Sequence, residues 1–147
     1  MQMRGLIVSC VLLASALAGC ASVPMASLQA DASAKEFRVK PGHSNIYLYR
    51  NEGFGGAVAM TVSLDGKVMG RTAAHTYFVW EVDPGNHEIA SHTENTAKLT
   101  LETKEGRNYY VWQEVKMGMW QPGSQLHEVS EEEGRKGVRE CKLAAPQ

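Results

Sequence analysis

The feature that most restricts this chain is an alternation of period two that runs straight into a two-residue turn. Val58, Met60, Val62 and Leu64 alternate with Ala59, Thr61 and Ser63; Asp65-Gly66 follows at once, then Lys67-Val68-Met69-Gly70. Successive side chains of a strand point to opposite faces, so this pattern buries one face of an extended segment and wets the other. A helix needs apolar residues every three to four positions and does not fit. Asp-Gly between two such runs predicts a hairpin closed by a type I′ turn, in which both central residues take positive φ.

The same grammar recurs along the chain. Asn45–Arg50 is rich in β-branched and aromatic residues. Glu52-Gly53-Phe54-Gly55-Gly56 interrupts it. In Thr76–Val82, Phe78, Trp80 and Val82 share one face and Tyr77 and Val79 the other, which predicts a strand covered on both sides. Asp83-Pro84-Gly85-Asn86 is a turn, with proline fixing φ and glycine permitting a left-handed residue, and His87–His92 is the returning strand. Ala97, Leu99 and Leu101 alternate with Lys98, Thr100 and Glu102. Glu105-Gly106 leads into Asn108–Val115, where Tyr109, Tyr110 and Trp112 occupy both faces, and Leu126–Val129 is the last strand. Ser130, with Glu133 three residues on, reads as the cap of a helix of one or two turns, weakened by Gly134 and Gly137. These elements predict an all-β fold, a small antiparallel β-sandwich with a short C-terminal helix, spanning residues 37–143 and leaving 144–147 as a loose end. The chain has 147 residues, enough for one such domain. Its 44% hydrophobic and 21% charged residues exclude a disordered polymer.

The N-terminus obeys different rules. Arg4 gives a short positive region; Leu6 to Leu17 is apolar, broken only by Ser9, Cys10 and Ser15; Ala18 and Gly19 are small. That is the plan of an export signal, and the apolar run falls short of the roughly 20 residues that span a bilayer. Leu17-Ala18-Gly19-Cys20 resembles the lipobox of bacterial lipoproteins. The resemblance implies removal of residues 1–19, a thioether-linked diacylglycerol on Cys20 and a further palmitate-type chain on its freed amine. At about 0.8 kcal/mol per buried methylene, two or three chains on Cys20 would hold the protein permanently. Ser22 stands where an aspartate tends to retain such lipoproteins in the inner membrane, so the resemblance implies the outer membrane, in the leaflet facing the periplasm. Residues 20–36 are small, polar and unpatterned and read as a flexible tether, letting the domain stand roughly 20 Å off the membrane.

A second resemblance rests on motifs in order: Ile46-Tyr47-Leu48-Tyr49-Arg50, then Val62-Ser63-Leu64-Asp65-Gly66-Lys67, then Tyr77-Phe78 leading to Val82-Asp83-Pro84-Gly85-Asn86-His87, and finally Gly106-Arg107-Asn108-Tyr109-Tyr110-Val111. Over residues 37–130 the chain resembles the bacterial domain of unknown function 2846. Its middle is also similar to the PEGA-type β-domain, which shares the Asp-Gly-Lys hairpin and the Pro-Gly-x-His turn. The resemblance implies a β-sandwich-like envelope domain and transfers no catalytic residue.

Chemistry is sparse. No metal site is expected: His43, His75, His87, His92 and His127 form no helical His-x-x-x-His pair, and there is no Cys-x-x-Cys. Ser44 and Ser124 sit in turn contexts without the Gly-x-Ser-x-Gly elbow. Glu131-Glu132-Glu133 suits the positive end of a helix dipole. Gly53–Gly56 precedes a strand and lacks Gly-Lys-Ser/Thr, so it is no phosphate cradle. With Cys10 removed and Cys20 lipidated, Cys141 is the remaining thiol; it is either buried or paired with a partner chain. Losing the signal removes only Arg4 of the 15 basic residues, which leaves 14 against 16 acidic and no field to attract nucleic acid. No cofactor is expected. Lys116-Met117-Gly118-Met119-Trp120-Gln121-Pro122-Gly123 stands out, because it is loop-like yet carries large apolar side chains. Either Met117, Met119 and Trp120 form an exposed contact patch, or the loop folds back over an open end of the sandwich.

Three functions follow in order of preference. The first is a non-catalytic, lipid-anchored envelope lipoprotein whose β-domain binds another envelope component, with an envelope protein as the candidate partner. The second is a carrier of a small apolar ligand, with a cavity lined by Trp80, Tyr110 or Trp112. The third is a periplasmic hydrolase, which would need His87, Asp83 and a serine to converge.

Overall fold

In the computed structural model, residues 22–54, 56 and 58–147 are described. The signal segment and Cys20 lie outside them, as do Gly55 and Ala57 in the glycine-rich loop.

Each period-two run forms a strand. In chain order these are β1 (Ser44–Arg50), β2 (Met60–Leu64), β3 (Lys67–Thr72), β4 (Thr76–Val82), β5 (Gly85–His92), β6 (Thr96–Thr103), β7 (Asn108–Lys116), β8 (Gly123–Val129) and β9 (Lys142–Leu143). They make a β-sandwich of two sheets, ordered β8-β7-β1-β4-β9 and β3-β2-β5-β6. The Asp65-Gly66 turn has φ of 50° and 80°, as type I′ geometry requires.

The sandwich is not purely antiparallel. β1 pairs parallel with β7, Tyr49 facing Trp112, and β4 pairs parallel with β9. The Asp83-Pro84 connection does not return the chain beside β4 either. It carries the chain from the five-stranded sheet into the four-stranded one, where β5 pairs with β2 and β6.

Between the sheets lies an apolar core that includes Ile46, Leu48, Phe78, Trp80, Ile89 and Val111. The other face of the five-stranded sheet carries Tyr47, Tyr49, Tyr77 and Tyr110, with Phe37, Val138 and Cys141 packed on them. The sequence therefore predicted correctly that β4 is covered on both sides. Two helices provide the second cover. Helix α2 (Glu131–Arg139) is capped by Ser130, whose Oγ accepts from the Glu133 N–H at 3.2 Å. Its first turn is acidic and Lys136 and Arg139 sit in its last, matching the helix dipole. Gly134 and Gly137 face the sheet, and a Cβ on either would overlap the ring of Tyr110 or Tyr49.

Helix α1 (Leu28–Ala34) corrects the expectation of a flexible tether for the described part of residues 20–36, from 22 onward. Ser27 caps it by accepting from the Ala30 N–H at 3.1 Å, and its alanines are good helix formers. It is held to the sheet by polar contacts. Tyr77 Oη donates to Asp31 Oδ1 at 2.9 Å, Tyr47 Oη to the Ala34 carbonyl at 2.8 Å, and Lys35 Nζ to the Cys141 carbonyl at 2.6 Å. The chain before it is fastened as well. The Ala26 N–H donates to Leu143 O at 3.0 Å, the Ala145 N–H to Pro24 O at 2.9 Å, and Val23 packs on the inner core. The same bonds correct the expectation of a loose C-terminus: Ala144 is buried, and the Gln147 N–H reaches Met69 O at 3.2 Å.

Candidate functional site

The long loop between β7 and β8 does not fold back over the sandwich. Met117, Met119 and Trp120 are 78%, 80% and 88% exposed, so these side chains are not buried against the rest of the fold. Three large apolar side chains so placed on one short loop are costly in water unless something covers them.

The loop holds this shape because Glu94, in the β5–β6 turn, organises it. One oxygen of the Glu94 carboxylate accepts from the Met119 N–H at 3.0 Å. The other accepts from the Trp120 N–H at 3.0 Å and the Gln121 N–H at 2.9 Å. The hydrogen bonds from Gln121, Trp120 and Met119 hold the carboxyl below its usual range. Asn95 clamps the loop's far side: its Nδ2 donates to Ser124 O at 2.9 Å and its Oδ1 accepts from the Ser124 N–H at 3.0 Å. Gly118 lies so close that a Cβ there would meet a Glu94 carboxylate oxygen at 2.6 Å and overlap the Gln121 carbonyl. A groove of about 480 Å³ runs beside the loop between the edges of β6 and β8, rimmed by Asn95, Lys98, Lys116 and Gln125.

Nothing local in the sequence links Glu94 to residues 119–121. The compositional oddity of the loop is legible; the carboxylate that shapes it is not.

Beneath the loop, the inner core turns polar. Thr72 Oγ1 donates to Gln113 Oε1 at 2.6 Å, Gln113 Nε2 donates to Ser91 Oγ at 2.7 Å, and Ser91 and Ser124 hydroxyls meet at 2.7 Å. All four residues are buried. Arg50, fully buried beside them, donates from Nη1 to Val58 O at 2.8 Å. Cys141 Sγ lies 3.5 Å from Arg50 O. The Cys141 thiol is buried as expected, and that burial, with Glu140 nearby, pushes it up to about 12, far from a reactive thiolate.

The other residues singled out by sequence are dispersed. His87 Nδ1 meets the Asp65 carboxylate at 2.7 Å and Nε2 meets the Asp83 backbone carbonyl at 2.7 Å. Burial opposes protonation there, but the bonds to Asp65 and Asp83 outweigh it and raise the imidazole's pKa. No serine joins this pair among the described hydrogen bonds. His92 contacts Ser63 at 3.1 Å, and His127 pairs with Glu114 at 2.7 Å while stacking on Trp112. His43 lies 3.3 Å from the Asp83 carboxylate. Among the described residues, no three His, Cys, Asp or Glu side chains are grouped to hold a metal. Trp80 belongs to the inner core, whereas Tyr110 and Trp112 lie against the outer one, so they do not line a single cavity.

A family model described as protein of unknown function (DUF2846) matches residues 40–125. A relative from Haemophilus influenzae, described as an uncharacterized protein, is 36% identical over 130 residues, which are 87% of this chain and 77% of the relative. No solved structure matches the chain.

Proposed function

The chain belongs to the DUF2846 family of unknown function, and from that premise we propose that it is a lipid-anchored envelope lipoprotein whose sandwich makes contacts and performs no catalysis. The observation that carries the contact role is the Met117–Trp120 loop, braced by three backbone hydrogen bonds to one carboxylate and left with its apolar side chains in water. The anchor role draws on Leu17-Ala18-Gly19-Cys20 and the short apolar segment before it. Ser22 favours the outer membrane, with the domain on the periplasmic side. Among the described residues no helix is long and apolar enough to cross a membrane, so acyl chains would supply the hold. The histidines are dispersed, and no described hydrogen bond joins the His87–Asp65 pair to a serine, which favours contact over hydrolysis.

Growth with an alkyne-bearing palmitate analogue tests the anchor. The chain should take up the label and sediment with membranes, and Cys20→Ser should lose both label and sedimentation. A wild-type chain without label would sink the reading.

A further inference from the structure

We propose that the Met117–Trp120 loop sits in the headgroup region of the same bilayer that takes the acyl chains of Cys20, so that the sandwich stands on the membrane by one end. The proposal rests on the anchor reading above and names the occupant of the loop.

The first argument is reach. The sequence predicts a flexible tether, but Ser22 already lines a groove on the fold with Ala73, Ala74 and His75. Only Cys20 and Ala21 separate the acyl chains from that groove. Two extended residues span about 7 Å, so the domain cannot stand far from its lipid.

The second argument is position. Residues 73–75 connect β3 to β4 at the end of the sandwich where β4 begins and β1 finishes, Thr76 facing Arg50. β7 runs parallel to β1, so its exit at Lys116, and the loop that follows, lie at this same end. The loop and the N-terminal edge stand on opposite sides of β1 and β4, about three to four strand spacings or ~15–20 Å apart. An anchor and a loop so separated make two feet on one surface. Met25 and Leu28, 45% and 80% exposed, add apolar side chains beside the first.

The third argument is chemistry. Tryptophan favours the boundary between headgroups and acyl chains, and methionine is apolar and adaptable. A loop entering that region must keep its backbone donors satisfied. Glu94 does this for Met119, Trp120 and Gln121 through its two carboxylate oxygens. A stable protein interface buries about 800 Å² per partner. Three side chains on one loop fall well short of that, whereas a surface already held close by an anchor needs few further contacts.

The test uses the full acylated chain, purified and placed in phosphatidylethanolamine and phosphatidylglycerol vesicles carrying brominated phosphatidylcholine. Bromine should quench the wild type's tryptophan emission, and Trp120→Phe should lose most of that quenching with its circular dichroism unchanged. Trp80 lies in the inner core and Trp112 is half-buried, so both stay as the shared background. Equal quenching of the two proteins, or none in a wild type whose mass shows an acylated Cys20, overturns the loop contact alone. An unmodified Cys20 overturns the anchor and this proposal together. In intact cells, a photoreactive amino acid in place of Met117 should label lipid; recurrent capture of one protein there would overturn the bilayer as the occupant.

Discussion

The two faces of the five-stranded sheet are buried by different physics. On the inner face Ile46, Leu48, Phe78 and Trp80 meet apolar residues of the second sheet, such as Val62 and Leu101. Their stabilisation scales with area removed from water and asks mainly for total volume and good packing. On the outer face the sheet presents tyrosines, and their hydroxyls need partners. Tyr47 finds the Ala34 carbonyl, Tyr77 finds Asp31, and Tyr110 lies 3.4 Å from the Arg135 guanidinium. A buried hydroxyl without a partner costs free energy, so the helices can sit over this face in few ways. The inner face supplies most of the cohesion; the outer face fixes where the helices lie, and through α1 and β9 where the N-terminal segment is held.

The largest break in that comparison comes from the inner face. Trp80→Ala should cost about 3–5 kcal/mol, the usual range for truncating a large core aromatic, read as a lower urea midpoint with both near- and far-ultraviolet signals affected. Gly137→Ala tests the outer face and has a diagnostic sign. On helix propensity alone, alanine would stabilise α2 by about 1 kcal/mol. Its Cβ would instead overlap the Tyr49 ring, and overpacking costs about 1–3 kcal/mol. Net destabilisation in urea, with a changed tyrosine signal in near-ultraviolet dichroism, is the expected result. A more stable protein would mean that α2 does not bear on Tyr49.

This asymmetry also separates what the sequence disclosed from what it concealed. The inner face was legible because area is read by period: Val58 to Leu64, Phe78-Trp80-Val82 and Ala97-Leu99-Leu101 all declare themselves locally. The outer cover was not. Leu28–Ala34 has no apolar stripe, and its docking runs through Asp31 to Tyr77, 46 residues away. Gly134 and Gly137 looked like helix breakers because their use, close approach to tyrosine rings, exists only in three dimensions. The parallel pairing of β1 with β7 is likewise a long-range choice that neither strand announces. At the candidate site the division repeats. Met117, Met119 and Trp120 are conspicuous in a loop, yet Glu94 gives no local sign of its three hydrogen bonds.

The smallest effect expected is also the most selective. Burial pushes the Asp31 carboxyl up, but Lys35, the Tyr77 hydroxyl and the Leu143 N–H together outweigh it and leave its pKa below the ordinary 3.8. A carboxyl depressed by folding adds stability that is complete above its unfolded value and lost as pH falls through the folded one. Between neutral pH and about pH 4 the docking of α1 should therefore hold, and further acid should loosen it first. Asp65 and Glu94 are depressed too, but they act on the β2–β3 turn and the β7–β8 loop. Amide resonances of Ala30 and Ala34 should thus shift or broaden at a higher pH than those of Ile46 and Val111 in the sheet beneath. Asp31→Asn cannot ionise and should remove α1's acid response while leaving those core signals alone. If helix and sheet instead melt at one pH, the two faces form a single cooperative unit, and the hydroxyl partners that position α1 are then coupled to the core and do not form a separable layer over it.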